Sequence, residues 1–335
     1  MDVGKSNGDI KIFTCNSNIP LAEKIATRLN NITLSYEKRQ LTPKLKEITL
    51  GNSEVSKFKD GEICLKIHES IRECDVFIIQ STSYPANDNL MELLIMIDAC
   101  KRASAKRITA VIPYYGYARQ DRKVRARDPI SAKLVANLIT SAGADRILTM
   151  DLHSTQIQGF FDIPLDNLIG MPIFSHYYTN AFNDSLKDTI VVSPDLGSVV
   201  RGRSLAEKLN INIAIVDKRR PQDDVTEVVN IIGKVKGKRA ILIDDEVDTG
   251  GSLTNAAYSL AEHGVSEIYA CATHGKFSGD ALEKIKKSPI KELVVLDTIQ
   301  LREKPEKIKI LSVDEIFALA IFRIHEGMSV SDLFR

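Results

Sequence analysis

The chain predicts an α/β fold of mostly parallel sheets flanked by helices, arranged as two similarly built domains. Three observations carry this. Nine short apolar runs alternate with helical patterns nearly throughout, the signature of strands joined through helices. The run 240–243 is unbroken, as in a central strand of a parallel sheet. A length of 335 residues with 44% hydrophobic and 27% charged residues suffices for two domains of ordinary size, each with its own core.

Taken in order, the first strand series comprises residues 10–14, 76–80, 108–113 and 147–150, and the second 190–192, 213–216, 240–243, 268–272 and 293–296. Helices between them show spaced apolar faces, as in Leu134, Leu138 and Ile139, or Leu205 and Leu209. The join falls near residues 167–172, which predicts domains over 1–168 and 169–313, with a helix over 314–325 in the last segment, 314–335, returning to pack on the first. Residues 30–57 are polar, rich in Lys and Glu and punctuated by Pro43 and Gly51, and predict a surface excursion with one short helix at 43–48. Gly4-Lys5-Ser6 imitates the end of a P-loop, but no strand or first glycine precedes it, so a frayed tail is expected.

Composition excludes several classes. The 45 Lys+Arg against 44 Asp+Glu give a net charge of +1, without the basic excess of a nucleic-acid binder. Five scattered cysteines include no C-x-x-C pair, and their odd number argues against a disulfide framework. The apolar run 90–99 is broken by Glu92 and Asp98 and is too short to span a bilayer, and the start lacks an apolar leader. A cytoplasmic protein is expected.

The most informative stretch is 239–253. An apolar strand runs into Asp244-Asp245, then Asp248-Thr249-Gly250-Gly251-Ser252 turns into a helical pattern over 253–263 that stops at Gly264. Glycines let the backbone approach an anion, and the N–H groups opening the helix point toward it. Three close carboxylates want hydroxyl donors or a divalent cation. A phosphorylated pentose offers both hydroxyls and a phosphate. This loop resembles the phosphoribosyl pyrophosphate loop of phosphoribosyltransferases and of ribose-phosphate pyrophosphokinase.

Three other clusters decide between them. Pro113-Tyr114-Tyr115-Gly116-Tyr117-Ala118-Arg119-Gln120-Asp121-Arg122 joins aromatics to a basic, amide-bearing turn suited to a nucleotide's base and phosphates. Met150-Asp151-Leu152-His153 places a histidine just past a strand end, where with Asp195 of Ser193-Pro194-Asp195 it is a candidate for a divalent ion. Asp217-Lys218-Arg219-Arg220-Pro221 sets three cations after another strand.

Together with Phe58-Lys59-Asp60-Gly61-Glu62, the runs 89–94, 128–135 and 156–164, and Thr273-His274-Gly275, these clusters resemble ribose-phosphate pyrophosphokinase from about Ile10 to Phe334. The resemblance implies two phosphoribosyltransferase-like domains, the first binding ATP and the second ribose 5-phosphate. It implies Mg2+-dependent transfer of the diphosphoryl group of ATP to the sugar 1-hydroxyl, giving phosphoribosyl pyrophosphate and AMP. By motif match, Phe58, Asp60, Glu62, Arg119, Gln120 and His153 belong to the ATP site, and His153 and Asp195 meet the metal or its waters. Asp244 and Asp245 hold the ribose hydroxyls, and Asp248, Thr249, Gly250, Gly251 and Ser252 the 5-phosphate. Lys218 and Arg220 are the catalytic cations, Arg220 also reaching the sugar phosphate. A homo-oligomer, commonly a hexamer, with phosphate activating and ADP inhibiting, is further implied, through Arg127, Thr155, Gln158, Asp166, Asn167, Ser329 and Ser331.

The match departs in places. Glu246 stands where the family usually has an apolar residue, Gly250-Gly251-Ser252 replaces Ala-Gly-Thr or Cys-Gly-Thr, Val124 replaces an acidic residue, and segment 30–57 exceeds the usual connection. Two alternatives follow: a phosphoribosyltransferase, which would need neither His153, Lys218 nor the Arg119 turn, and a catalytically silent regulatory subunit, which would be expected to have lost the 218–220 loop.

Overall fold

The computed structural model describes residues 8–38, 47–219, 228–301, 303 and 305–334. The chain divides into two units, one formed by 1–168, 298–300 and 312–335, the other by 169–297 and 301–311. Gly4-Lys5-Ser6 and Arg220 lie outside the described residues.

The first unit contains β1 (Ile10–Thr14), α1 (Ile19–Lys38), the antiparallel hairpin β2 (Ser53–Lys57) and β3 (Ile63–Ile67), β4 (Asp75–Ile79), α2 (Ala86–Arg102), β5 (Arg107–Ile112), α3 (Ser131–Ala142), β6 (Arg146–Met150) and β7 (Leu165–Leu168). Its main sheet is wholly parallel in the order β1-β4-β5-β6-β7. Every residue of β4 is buried, which explains its apolar run from Val76 to Ile79. On α3 the buried stripe is Ala132, Val135, Ala136 and Ile139, at helical spacing. Leu134 and Leu138, expected on the inner face, are 58% and 40% exposed. That stripe joins the hydrophobic core of the unit with Ile108, Ala110 and Ile147.

Two described parts of segment 30–57 are regular secondary structure, which its polarity did not suggest. Residues 30–38 continue α1, where Thr33 is buried with its hydroxyl on the Leu29 carbonyl at 2.8 Å. Residues 53–57 form β2. The helix expected at 43–48 falls largely outside the described residues; Ile48 is not helical, and its amide donates to Asn30 Oδ1 at 3.1 Å.

The second unit contains α4 (Met171–Phe182), β8 (Thr189–Ser193), α5 (Val199–Leu209), β9 (Asn212–Arg219), β10 (Val228–Ile232), β11 (Arg239–Val247), α6 (Gly251–Glu262), β12 (Glu267–Gly275), α7 (Ala281–Lys287), β13 (Ile290–Leu296) and β14 (Ile308–Leu311). Its sheet runs β10-β9-β8-β11-β12-β13-β14, parallel except for antiparallel β10 on β9. From β8 the chain first goes to β9 on one side and later returns as β11 on the other. That reversal is a topological switch point, and ligands of open α/β sheets bind beyond the carboxyl ends of the strands flanking it.

The final helix, α8 (Asp314–His325), belongs to the first unit and packs on α1. Its buried face includes Phe317, Ile321, Phe322 and Ile324, and Arg28 Nε meets Asp314 Oδ2 at 3.2 Å. Asp75, fully buried at the start of β4, receives Arg107 Nε at 2.8 Å and Nη2 at 2.5 Å, and His325 Nδ1 lies 2.8 Å from its Oδ2. Arg107 also donates to the Ile324 carbonyl at 3.1 Å, so one buried carboxylate ties sheet and terminal helix together. Replacing His325 with Leu is expected to cost about 1–3 kcal/mol, the loss of one bond to a buried carboxylate that keeps Arg107. A denaturant midpoint indistinguishable from the parent would refute this.

Candidate active site

In the second unit the switch point gathers carboxylates from the loop after β8 and from β11, far apart in sequence. After β8, Ser193 Oγ donates to the Asp195 carbonyl at 2.6 Å, and Asp195 Oδ1 accepts the Ser198 amide at 3.0 Å, setting the start of α5. Ser198 Oγ then donates to Asp244 Oδ1 at 2.7 Å, which also accepts the Asp245 amide at 2.9 Å. Arg201 Nη1 lies 3.8 Å from Asp245 Oδ1. Burial first, then the neighbouring charge of Asp245 and the more distant Asp195, push the Asp244 carboxyl up to about 7, while the Ser198 hydrogen bond works in the opposite direction.

Asp244 and Asp245 do not follow the strand, as its apolar core suggested; they lie within it. Pairing of Glu246 with His274 and of Val247 with Gly275 extends β11 beyond the switch point. The turn after it is held from β12: Lys276 and Phe277 donate their amides to the Val247 carbonyl at 2.9 and 3.0 Å, and Ser278 to that of Asp248 at 2.9 Å. Gly250 adopts φ 73°, a left-handed conformation that favours glycine, and α6 starts at the next residue. Thr249 and Ser252 are exposed beside it. The helix ends where expected, with Gly264 at φ 77°.

In the first unit, Phe58 is 56% exposed at the tip of the β2–β3 hairpin, where its amide donates to the Glu62 carbonyl at 2.8 Å and Asp60 Oδ1 accepts the Glu62 amide at 3.1 Å. Lys57 Nζ pairs with Asp88 at 2.5 Å beneath this turn. The aromatic run after β5 is only partly a stacking surface. Tyr114 and Tyr115 are buried, Tyr115 Oη donating to the Ala132 carbonyl at 2.8 Å and its ring meeting Phe161 edge-on at 5.8 Å. Tyr117 alone of the three is exposed, at φ 63°. Any side chain at Gly116 would meet the Thr82 carbonyl at 2.3 Å, so Gly116→Ala is expected to destabilise this turn by about 1–3 kcal/mol, read as a lower thermal midpoint. Arg119 and Gln120 follow, exposed, with the Gln120 side-chain oxygen accepting from Ser131 Oγ.

His153 is exposed after a tight turn in which Asp151 takes φ 40° and the Leu152 amide donates to Asn167 Oδ1 at 3.2 Å. Asn167 therefore supports the His153 turn. Of the other residues expected in a regulatory site, Asp166 pairs with Arg146 at 2.5 Å, Gln158 Nε2 donates to the Thr155 carbonyl at 3.1 Å, Arg127 is exposed at φ 71°, and the Ser329 and Ser331 hydroxyls lie 2.8 Å apart.

His153 and Asp195 belong to different units. Among the described residues no group of three or more His, Cys, Asp or Glu side chains gathers to hold a metal. The Asp195 carboxylate nevertheless suits Mg2+, which ordinarily takes one or two carboxylates together with substrate phosphate oxygens; His153, a nitrogen donor, suits a metal-bound water instead. The main chain of Lys218 lies in β9, opposite Val229. Ser198, Arg201 and Lys276 were not foreseen from sequence, since only the sheet order brings them to the loop.

Two mostly parallel α/β units, one with a carboxylate pair and glycine turn at its switch point, define the class of protein. Residues 10–143 match the N-terminal domain of ribose phosphate pyrophosphokinase, and residues 224–335 match the phosphoribosyl synthetase-associated domain. The ribose-phosphate pyrophosphokinase of Caldanaerobacter subterraneus is 58% identical over 99% of this chain and 100% of its own length, and that of Clostridium tetani 57% identical over 97% of each. The crystal structure of phosphoribosylpyrophosphate synthetase from Mycobacterium smegmatis superposes with a TM-score of 0.85 at 37% identity, covering 95% of this chain and 99% of that one. The chain belongs to the ribose-phosphate pyrophosphokinase family. Among the described residues no helix is long and apolar enough to cross a membrane.

Proposed function

We infer that this enzyme transfers the diphosphoryl group of ATP to the 1-hydroxyl of ribose 5-phosphate, yielding phosphoribosyl pyrophosphate and AMP. The observation that carries the assignment of the sugar is the half-buried Asp244 next to the buried Asp245, beside the left-handed Gly250 turn. Asp244 and Asp245 accept the ribose hydroxyls, and the main-chain amides from Asp248 to Ser252 take the 5-phosphate. Phe58, Asp60 and Glu62 bind ATP together with Arg119 and Gln120, the exposed Phe58 ring offering a face to the base.

The 1-hydroxyl attacks the β-phosphorus while AMP departs, so negative charge develops on the transferred group and on the bridging oxygen. Lys218 and Arg220 meet that charge. Mg2+ would supply further charge neutralisation on the phosphates, with Asp195 suited to the ion and His153 to a metal-bound water. Holding both anionic substrates in line contributes about 7–11 kcal/mol to lowering the barrier. Residues Arg127, Thr155, Gln158, Asp166, Asn167, Ser329 and Ser331 form an effector site for phosphate and ADP in a homo-oligomer, a hexamer in this reading.

The test is AMP release from ATP. It is expected to require both ribose 5-phosphate and Mg2+, and AMP formed without the sugar, or none with it, would overturn the reading.

A further inference from the structure

Glu246 stands near the end of β11 with its side chain only 9% exposed, and its surroundings give it a purpose. Lys276 Nζ lies 3.8 Å from Glu246 Oε1 and 3.6 Å from Asp248 Oδ2. Glu246 lies near the end of β11 and Asp248 is the first residue after it, and one ammonium reaches both. The three side chains are 9%, 20% and 22% exposed for Glu246, Asp248 and Lys276, so solvent screens the contacts only partly.

The main chain fixes the cation where it is. The Lys276 amide donates to the Val247 carbonyl, and the Ser278 amide to that of Asp248. On the other side, a side chain at Gly275 would meet the Phe277 ring at 2.5 Å, so the bend leading into Lys276 is closely packed. Lys276 thus holds the loop through its backbone and its charge.

We propose that Lys276 is a positioning residue for the sugar phosphate: it neutralises Asp248 at the entrance to the phosphate turn, and Glu246 tethers it there. The proposal rests on the reading of residues 248–252 as the 5-phosphate cradle. A phosphate dianion approaching that turn meets the Asp248 carboxylate first. With Lys276 beside it the repulsion is cancelled; without it, two part-buried carboxylates face the ligand's charge. Lys276 acts through Asp248 and needs no contact with the reacting atoms, so its effect falls on binding.

The experiment compares the full-length protein with Lys276→Met, Lys276→Arg and Glu246→Gln, by calorimetric binding of ribose 5-phosphate and by steady-state kinetics for each substrate. Lys276→Met is expected to weaken ribose 5-phosphate binding and raise its KM about 10-fold, with kcat and the KM for ATP within about 2-fold of the parent. Arginine is expected to restore binding to within about 3-fold, and Glu246→Gln to weaken it about 3-fold. Raising salt should weaken binding more in the parent than in Lys276→Met. Unchanged sugar binding in Lys276→Met, while the parent binds normally, overturns this proposal alone; a parent that binds no ribose 5-phosphate overturns the functional reading beneath it. Should Lys276→Met fail to fold, the arginine and Glu246→Gln variants decide, equal affinity in Glu246→Gln and the parent removing the tether.

Discussion

Alanine at Lys218 or Arg220 is expected to lower turnover about 10³-fold in each case, with the KM values for ATP and ribose 5-phosphate changing far less. The reaction joins two polyanions and breaks a bond between phosphoryl groups, so charge peaks in the transition state rather than in the bound substrates. A cation placed for that moment acts on kcat, and about 4 kcal/mol corresponds to the three decades expected. Lys218 sits in the antiparallel pairing of β9 with β10, where its main chain opposes Val229. Alanine there keeps the ladder bonds, so lost turnover cannot be assigned to a lost strand. Steady-state rates with both substrates saturating are the measurement, and near-normal turnover in either variant would remove that residue from the catalytic role.

How much of this was legible from sequence depends on where each feature gets its stability. Strands β4, β5, β8 and the first half of β11 are buried on both faces, so their apolar runs announce them. Strand β7, Leu-Asp-Asn-Leu at a sheet edge, and the half-exposed β2, Ser-Glu-Val-Ser-Lys, exist because a neighbour offers hydrogen bonds, and nothing in their own residues demands a strand. The acidic end of β11 was masked in the same way: Asp244-Asp245-Glu246 reads as a loop, yet pairing with β12 keeps it extended. Leu134 and Leu138 misled in the other direction, since an exposed leucine is ordinary and periodicity alone cannot choose between two helix faces. At the site, the carboxylate pair and glycine turn are local in sequence and were visible there. Ser198 and Arg201 reach them only because β8 and β11 are neighbours in the sheet.

Asp244→Asn is expected to separate stability from function. In the folded protein the Asp244 carboxyl is pushed up to about 7, whereas an unfolded aspartate titrates near 3.9. The folded state therefore holds this proton more tightly than the unfolded one. Its contribution to stability is fully present below the unfolded pKa and is lost as pH rises through about 7, where the carboxylate is forced to ionise beside Asp245 in a buried setting. Asparagine keeps the shape and an oxygen for Ser198 Oγ but carries no charge, so the ligand-free variant should melt a few degrees higher than the parent at pH 8 and close to it at pH 4. Binding should move the other way. The ionised carboxylate is the acceptor for the sugar hydroxyls, and a charge-assisted bond of this kind is worth about 1.5–3 kcal/mol, or roughly 10- to 100-fold in affinity. Ribose 5-phosphate affinity in the parent should accordingly rise as pH passes from 6 to 8, beyond the change owed to the phosphate's own titration, and the variant should be weaker and lack that extra rise. Thermal midpoints and calorimetric affinities at pH 4, 6 and 8 test both halves. A variant that keeps the parent's pH slope would place the titrating group elsewhere, and one that binds the sugar normally would take Asp244 out of the ribose site, because a neutral acceptor would then have served as well as the charged one.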